Sequence, residues 1–265
     1  LFPHLTVAEN ISFGLKMRGA TEKVKEQRVD ELLDLVNLTG YDECYPHELS
    51  GGQQQRISLA RSLAINPKVL LLDEPLTNLD ANLRGEMQKL IKDIHSQEKM
   101  TTIFVTHDRD EAMLMADRIA VMNQGQIEQC GSPEELYKYP KTRFVADFFG
   151  KANYLSGVIK ENKFEFKGGE LLINQELIDS NRILNSQREA KAMIRPEFIY
   201  LSSIQDNNSQ LTGVIKDRNF AGERIFYNVD IGNQVLKVTT LPPSSFKVGE
   251  EVGIKINQEN IWFME

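Results

Sequence analysis

Only two cysteines occur in the 265 residues, Cys44 and Cys130, in unrelated contexts and without CxxC spacing. That excludes a disulfide framework, a cysteine zinc cluster and a redox pair, and it fits a reducing compartment. Long apolar runs are absent too. Nothing approaches the roughly 20 residues that span a bilayer, and Leu1-Phe2-Pro3-His4 lacks the charged start and apolar stretch of a secretory leader. Positive charge is in deficit, the net charge being −7, so no global attraction draws the chain to nucleic acid. There is no initiating Met, and Leu1 opens directly into a patterned segment, so the chain is expected to be part of a longer protein. No GxxxxGK[ST] phosphate loop occurs either: Gly51-Gly52 and Gly168-Gly169 lack the Lys and Ser or Thr that would cradle phosphates.

What is present is ordinary for one or two globular domains, with 41% hydrophobic and 26% charged residues. Val7 to Met17 and Thr21 to Leu38 carry helical periodicity, the second capped by Thr21 and stopped by Gly40. Ser50 precedes Gly51-Gly52 and an amphipathic helix running to Asn66. Val69-Leu70-Leu71-Leu72 is a continuous apolar run, the pattern of a strand buried on both faces of a parallel sheet, and Thr102 to Thr106 repeats it. A helical pattern from Ala81 to Glu98 joins them, which predicts a crossover unit of α/β type. Asn123-Gln124-Gly125 predicts a hairpin turn, and Ser132-Pro133-Glu134-Glu135 predicts a capped helix start. After about Gly150 the texture turns to short β-rich segments, which places a domain boundary there, with 1–150 α/β and 151–265 all-β. Leu155-Ser156-Gly157-Val158-Ile159-Lys160 is echoed by Leu211-Thr212-Gly213-Val214-Ile215-Lys216, a hint of two related β-halves.

The residues with chemistry in them follow one another closely. Ser50 as a helix cap before two glycines leaves unpaired backbone N–H groups and partial positive charge at a helix start, a seat for an anion. Asp73 ends a predicted buried strand, where α/β sheets bind ligands, and a bound Mg²⁺ would account for a carboxylate there. Glu74 follows it, a second carboxylate at the same strand end. His107 ends the second strand and should emerge on the same rim, while Asn78-Leu79-Asp80 reads equally as a helix cap before Ala81.

Taken together, Leu49-Ser50-Gly51-Gly52-Gln53, Val69 to Glu74, Pro75, Leu79-Asp80 and Thr106-His107 resemble the signature motif, Walker B strand, D-loop and switch histidine of the ABC ATPase family. The resemblance covers residues 1 to 150 and begins after the family's Walker A loop. It implies a P-loop NTPase core lacking its N-terminal part, ATP and Mg²⁺ as cofactors, Asp73 as metal holder, Glu74 and His107 as catalytic residues, and Ser50, Gly51, Gly52, Gln53 and Asp80 at the nucleotide sandwiched in a dimer. Leu1-Phe2-Pro3-His4-Leu5-Thr6-Val7, Glu135-Leu136-Tyr137 through Phe144-Val145-Ala146, and Ile194-Arg195-Pro196-Glu197 are similar to the importer branch with a C-terminal OB-like TOBE β-barrel.

That branch implies an ATP hydrolase at the cytoplasmic face of the membrane, acting as a homodimer on transmembrane permease subunits and indirectly on a periplasmic or extracellular solute-binding protein. The link Phe148 to Asn153 is closest in texture to polyamine, ferric iron or phosphonate importers. Two other classes stay open: a soluble non-transport ABC ATPase, against which stands the lack of sustained heptads or a second signature, and a non-catalytic fragment whose β-domain binds a regulator.

Overall fold

The computed structural model describes residues 1–77, 79–173, 187–206 and 209–264. Asn78, part of the predicted helix cap, lies outside them. The described residues form two units, Leu1–Ala116 and Asp117–Glu265.

The first unit begins with α1 (Val7–Met17), whose start is closed by a reciprocal capping box between Thr6 and Glu9. Buried Asn10 secures the segment before it, accepting from the Phe2 N–H at 2.8 Å and donating to the carbonyls of Phe2, Leu5 and Thr6. Helix α2 (Glu22–Leu35) ends earlier than the expected Leu38, and Gly40 is not its stop. Asn37 takes the left-handed conformation at φ 56, its N–H bonding the Asp34 carbonyl while the Leu38 N–H bonds Leu33 at 2.8 Å. This Schellman arrangement satisfies the last carbonyls and ends the helix at Leu35, short of the predicted Leu38, and Asn tolerates the conformation because of its short polar side chain. Helix α3 (Gly51–Leu63) follows, then β1 (Val69–Asp73), α4 (Ala81–Glu98), β2 (Thr101–Val105) and α5 (Arg109–Met115).

Strands β1 and β2 pair in parallel with Val69 opposite Thr101 and Asp73 opposite Val105, as a crossover connection through a helix requires. Their burial departs from the expected two-sided pattern. Leu70 and Leu72 pack into the core with Ile57, Leu63, Met87 and Ile91, whereas Leu71 is 69% exposed and Ile103 and Val105 are also exposed. Successive strand side chains point to opposite faces, and among the described residues only one face is covered.

In the second unit, β3 (Ile119–Asn123) and β4 (Gln126–Gly131) form the predicted hairpin, with Gln124 and Gly125 both at positive φ, as a two-residue type I′ turn needs. Helix α6 (Pro133–Lys138) has the predicted Ser132 cap, made reciprocal by Glu135, and α7 (Arg143–Phe149) follows. Among the described residues ten strands come next: β5 (Asn153–Lys160), β6 (Lys163–Phe166), β7 (Gly169–Leu172), β8 (Gln187–Ile194), β9 (Ile199–Ser203), β10 (Leu211–Phe220), β11 (Ile225–Asp230), β12 (Val235–Thr240), β13 (Glu251–Ile256) and β14 (Ile261–Met264).

They make two five-stranded antiparallel sheets, ordered β14-β8-β5-β6-β7 and β12-β11-β10-β13-β9. The repeated hexamers are the central strands β5 and β10, and each sheet has the same pattern around them. The last strand of each half crosses to the other sheet: β9 pairs with β13, and β14 pairs with β8. A 3₁₀ turn precedes each exchanged strand, at Pro196–Phe198 and Gln258–Asn260. These turns carry a second echo, Ile194…Glu197…Ile199-Tyr200 against Ile256…Glu259…Ile261-Trp262.

Arg195 explains one of the sequence blocks singled out above. Its buried guanidinium lies 4.2 Å over the Tyr137 ring and donates to the carbonyls of Tyr137, Ala146, Gly150 and Lys151. With the bond from Trp262 Nε1 to the Pro140 carbonyl at 2.9 Å, it fastens the α6–α7 segment to the β-sheets of this unit.

The shared third position of the two hexamers makes a testable point. A Cβ at Gly157 would run into the Glu165 carbonyl, and one at Gly213 would lie 2.7 Å from Val229 Cγ1 and 2.9 Å from the Asp230 carbonyl. Gly157→Ala and Gly213→Ala are each expected to destabilise this unit by about 1–3 kcal/mol, the usual cost of overpacking. Trp262 is the only tryptophan, so denaturant titration followed by its fluorescence reads this unit alone; an unshifted midpoint contradicts the packing described.

Candidate functional site

The register of β1 with β2 carries Asp73 and Glu74 to the same strand ends as Thr106 and His107. The chain continues the pairing for one residue, the Glu74 N–H bonding the Val105 carbonyl at 2.9 Å, and then turns sharply. Glu74 itself sits at φ 44, in the left-handed region a non-glycine residue seldom occupies, at a cost of about 1–3 kcal/mol that clusters at functional positions. The turn aims its carboxylate at His107: Oε1 is 3.2 Å from Nδ1, and Oε2 accepts from Thr77 Oγ1 at 3.2 Å. An ionised carboxylate only accepts, so Nδ1 is the donor and Nε2 points away. The hydrogen bond from His107 first, then that from Thr77, holds the Glu74 carboxyl below its ordinary range. It is therefore ionised at neutral pH.

Asp73 is exposed at the end of β1, and no side-chain hydrogen bond engages it among the described residues. No group of three or more His, Cys, Asp or Glu side chains able to hold a metal occurs among those residues. A single free carboxylate fits Mg²⁺ better than a cation needing an all-protein cage, because Mg²⁺ keeps waters and takes its other oxygens from phosphates.

Ser50 caps α3 as predicted. Its Oγ accepts from the Gln53 N–H at 3.3 Å, and Gln53 Oε1 accepts from the Ser50 N–H at 2.8 Å. Gly51 has open space where a Cβ would stand, so a ligand can approach the backbone there. Gly52 is buried for a different reason: its missing Cβ would touch Leu83 of α4 at 3.4 Å. The helix start and the acidic rim share no hydrogen bond or ion pair among the described residues, but they are joined indirectly. Gln55 Nε2 donates to the Thr77 carbonyl at 3.2 Å, in the turn that holds Glu74. Asp80, just beyond that turn, caps α4 by accepting from the N–H groups of Asn82 and Leu83, each at 3.0 Å.

Sequence reasoning missed several of these groups. Gln55 and Thr77 are two. Arg84, Asp108 and Glu111 form a third cluster: Glu111 is buried, Thr106 Oγ1 donates to its Oε2 at 2.6 Å, and Arg84 Nε lies 3.7 Å from its Oε1. An arginine four residues after a helix cap and an acidic residue four after the histidine were the available signals, too common in solvated helix faces to stand out.

This combination of a strand-end acid pair, an adjacent histidine and a glycine-entered helix, followed by duplicated β-sheets, defines a nucleotide-binding subunit of the ABC type. The comparisons agree. The ABC transporter family profile matches residues 1–77 and the TOBE domain profile matches residues 192–264. The spermidine/putrescine import ATP-binding protein of Borrelia garinii subsp. bavariensis is 41% identical over 266 residues, 100% of this chain and 74% of that protein. The sulfate/thiosulfate import ATP-binding protein of Halalkalibacterium halodurans is 41% identical over 237 residues, 87% of this chain and 64% of that protein. The Fe(3+) ions import ATP-binding protein of Vibrio cholerae is 43% identical over 219 residues, 82% of this chain and 60% of that protein. The chain thus spans about three fifths to three quarters of the length of these relatives, and it belongs to the family of ABC importer ATP-binding subunits with a C-terminal TOBE domain.

Because the folded-state pKa of Glu74 is depressed, whatever this pairing adds to stability is present above the unfolded-state pKa and fades as pH falls through the folded value. Replacing His107 by Ala removes the largest cause, so a carboxyl-carbon NMR titration should show the Glu74 midpoint rising toward the ordinary value near 4.5. An unmoved midpoint contradicts the pairing.

Proposed function

We propose that this chain is the hydrolytic part of an ATP-driven importer subunit, with the hydrogen-bonded Glu74–His107 pair at its centre. That single contact carries the reading, because it joins two groups 33 residues apart at one strand rim, and a left-handed backbone is maintained at Glu74 to make it.

Mg²⁺ bound with ATP supplies neutralisation of the phosphate charge. Asp73 is the residue that would hold the ion. Glu74, ionised and held from two sides, accepts a hydrogen bond from a water and orients it; a lowered pKa favours positioning over full deprotonation. His107 keeps Glu74 in place through Nδ1–H, and as the doubly protonated imidazolium it can also donate from Nε2–H to a phosphate oxygen. Ser50, Gly51, Gly52 and Gln53 present a helix start to the nucleotide of a second subunit, whose phosphates the positive end of the helix favours. Asp80 fixes the turn between the two.

The ATPase part on this reading runs to about residue 150 and the TOBE part from about 151. Two subunits close on ATP and reopen after hydrolysis, and that movement drives transmembrane permease subunits at the cytoplasmic face; the solute-binding protein acts on the permease. Among the described residues no helix is long and apolar enough to cross a membrane, which suits a subunit docked on a permease. The solute is of the polyamine, ferric iron or phosphonate kind. Relatives named for three different solutes match this chain at 41–43% identity, so these residues encode the common machinery more than the choice of solute.

In the full-length subunit, Glu74→Gln keeps the side chain's shape but donates where Glu74 accepts. It is expected to retain ATP binding while turnover falls about 10²-fold or more, the scale of losing a positioned catalytic group. Hydrolysis near the unmodified rate removes Glu74 from this role.

A further inference from the structure

The cluster beside the Glu74–His107 pair has a geometry that the hydrolytic reading does not use. Arg84 lies in the first turn of α4, directly after the loop that holds Leu79 and Asp80. Its Nη2 donates back to the Leu79 carbonyl at 3.3 Å. The same guanidinium reaches to the loop after β2, with Nη1 3.8 Å from Asp108 Oδ2 and Nε 3.7 Å from Glu111 Oε1. Glu111 is 6% exposed, a carboxylate that burial makes costly unless a cation and hydrogen bonds compensate it. Its other oxygen accepts from Thr106, the residue before His107, and Thr106 Oγ1 in turn accepts from the Asp108 N–H at 3.0 Å. Asp108 completes the arrangement by capping α5, accepting from the N–H groups of Asp110 at 2.8 Å and Glu111 at 3.2 Å.

Each side of His107 is therefore held: Thr106 by Glu111, and Asp108 by Arg84 and by its own cap. Arg84 bonds the Leu79 carbonyl and pairs with Asp108 and Glu111, so it touches both this loop and the Leu79–Asp80 turn. A planar guanidinium suits that task, because its donors point along fixed divergent directions and can serve several acceptors at once. The Nε atom is buried without a hydrogen bond among the described residues, its distance to Glu111 being too long for one. Charge holds this contact, and a shift of a few tenths of an ångström would convert it into a hydrogen bond.

We infer that Arg84 and Glu111 are positioning residues that lock the Asp80 turn to the loop carrying His107, so that the histidine is set against Glu74 only when the turn is in place. The inference rests on the function proposed above. Neither residue touches the reacting groups; both act through the backbone on either side of them.

The test uses the full-length subunit with Arg84→Met, Glu111→Gln and the double variant. Each single change is expected to lower kcat about tenfold with the KM for ATP within about twofold, since loosened positioning affects the reaction more than binding. The double variant should be no worse than the weaker single, because the two residues act as one unit. Additive losses, or a change carried by KM alone, overturn the coupling. Hydrogen exchange gives a readout independent of turnover: the Arg84→Met amides of Asp108 to Ala112 should lose protection, and unchanged protection also overturns it.

Should Arg84→Met fail to fold, Arg84→Lys keeps a charge near Glu111 but cannot also bond Leu79, and an unaltered kcat in that variant counts against the inference. If the unmodified subunit hydrolyses no ATP, the proposed function fails by itself, while the exchange experiment still judges the lock.

Discussion

The parallel pairing of β1 with β2, held in register to Asp73 opposite Val105 and extended by the Glu74 N–H to the Val105 carbonyl, is the constraint on which the rest depends. A slip of one residue would send Leu70 and Leu72 to the open face and turn Asp73 toward the core. Helix α4 makes the parallel arrangement possible, and the same helix carries Asp80 at its cap and Arg84 in its first turn. The element that connects the two strands therefore also bears Asp80 and Arg84 beside the site.

Around that rim the polar contacts form short chains. One runs from α3 through Gln55 to the Thr77 carbonyl and from Thr77 to Glu74 and His107. Another runs from the Leu79 carbonyl through Arg84 to Glu111 and Thr106, next to His107. Both meet at the same pair, one arriving from the glycine-entered helix and one from the Asp80 turn. A packing contact between Gly52 and Leu83 joins the two helices where these chains start. These contacts connect the helix start to Glu74 through Gln55 and Thr77.

Much of this was legible in the sequence, for identifiable reasons. Apolar runs and caps placed α1, α3, α4 and both strands, because a capping Ser or Asp and a hydrophobic period are local signals. Asp73, Glu74 and His107 were legible as a spaced motif, and the structure joins Glu74 to His107. The end of α2 was not legible, since Asn37 competes with Gly40 as a left-handed stop and only the tertiary context chooses. The one-sided burial of β1 was hidden because an unbroken apolar run does not say which of its faces is covered. Arg84 and Glu111 were invisible for a related reason: a charged residue that bridges two loops and one that belongs to a solvated helix face look alike in one dimension. The β-duplication was half visible, since six residues of central strand repeat clearly while the exchanged strands echo only at Ile, Glu, Ile and an aromatic residue.

The central claim is that the Ser50 helix start and the Glu74–His107 rim serve different nucleotides in an assembly of two subunits. Mixing full-length Ser50→Arg subunits with full-length Glu74→Gln subunits and measuring ATP turnover addresses it directly. Each variant alone has no intact site, but a mixed pair holds one site built from an unaltered rim on one subunit and an unaltered helix start on the other. The account predicts that mixing restores turnover; a mixture as inactive as its components would mean that both groups act within one chain.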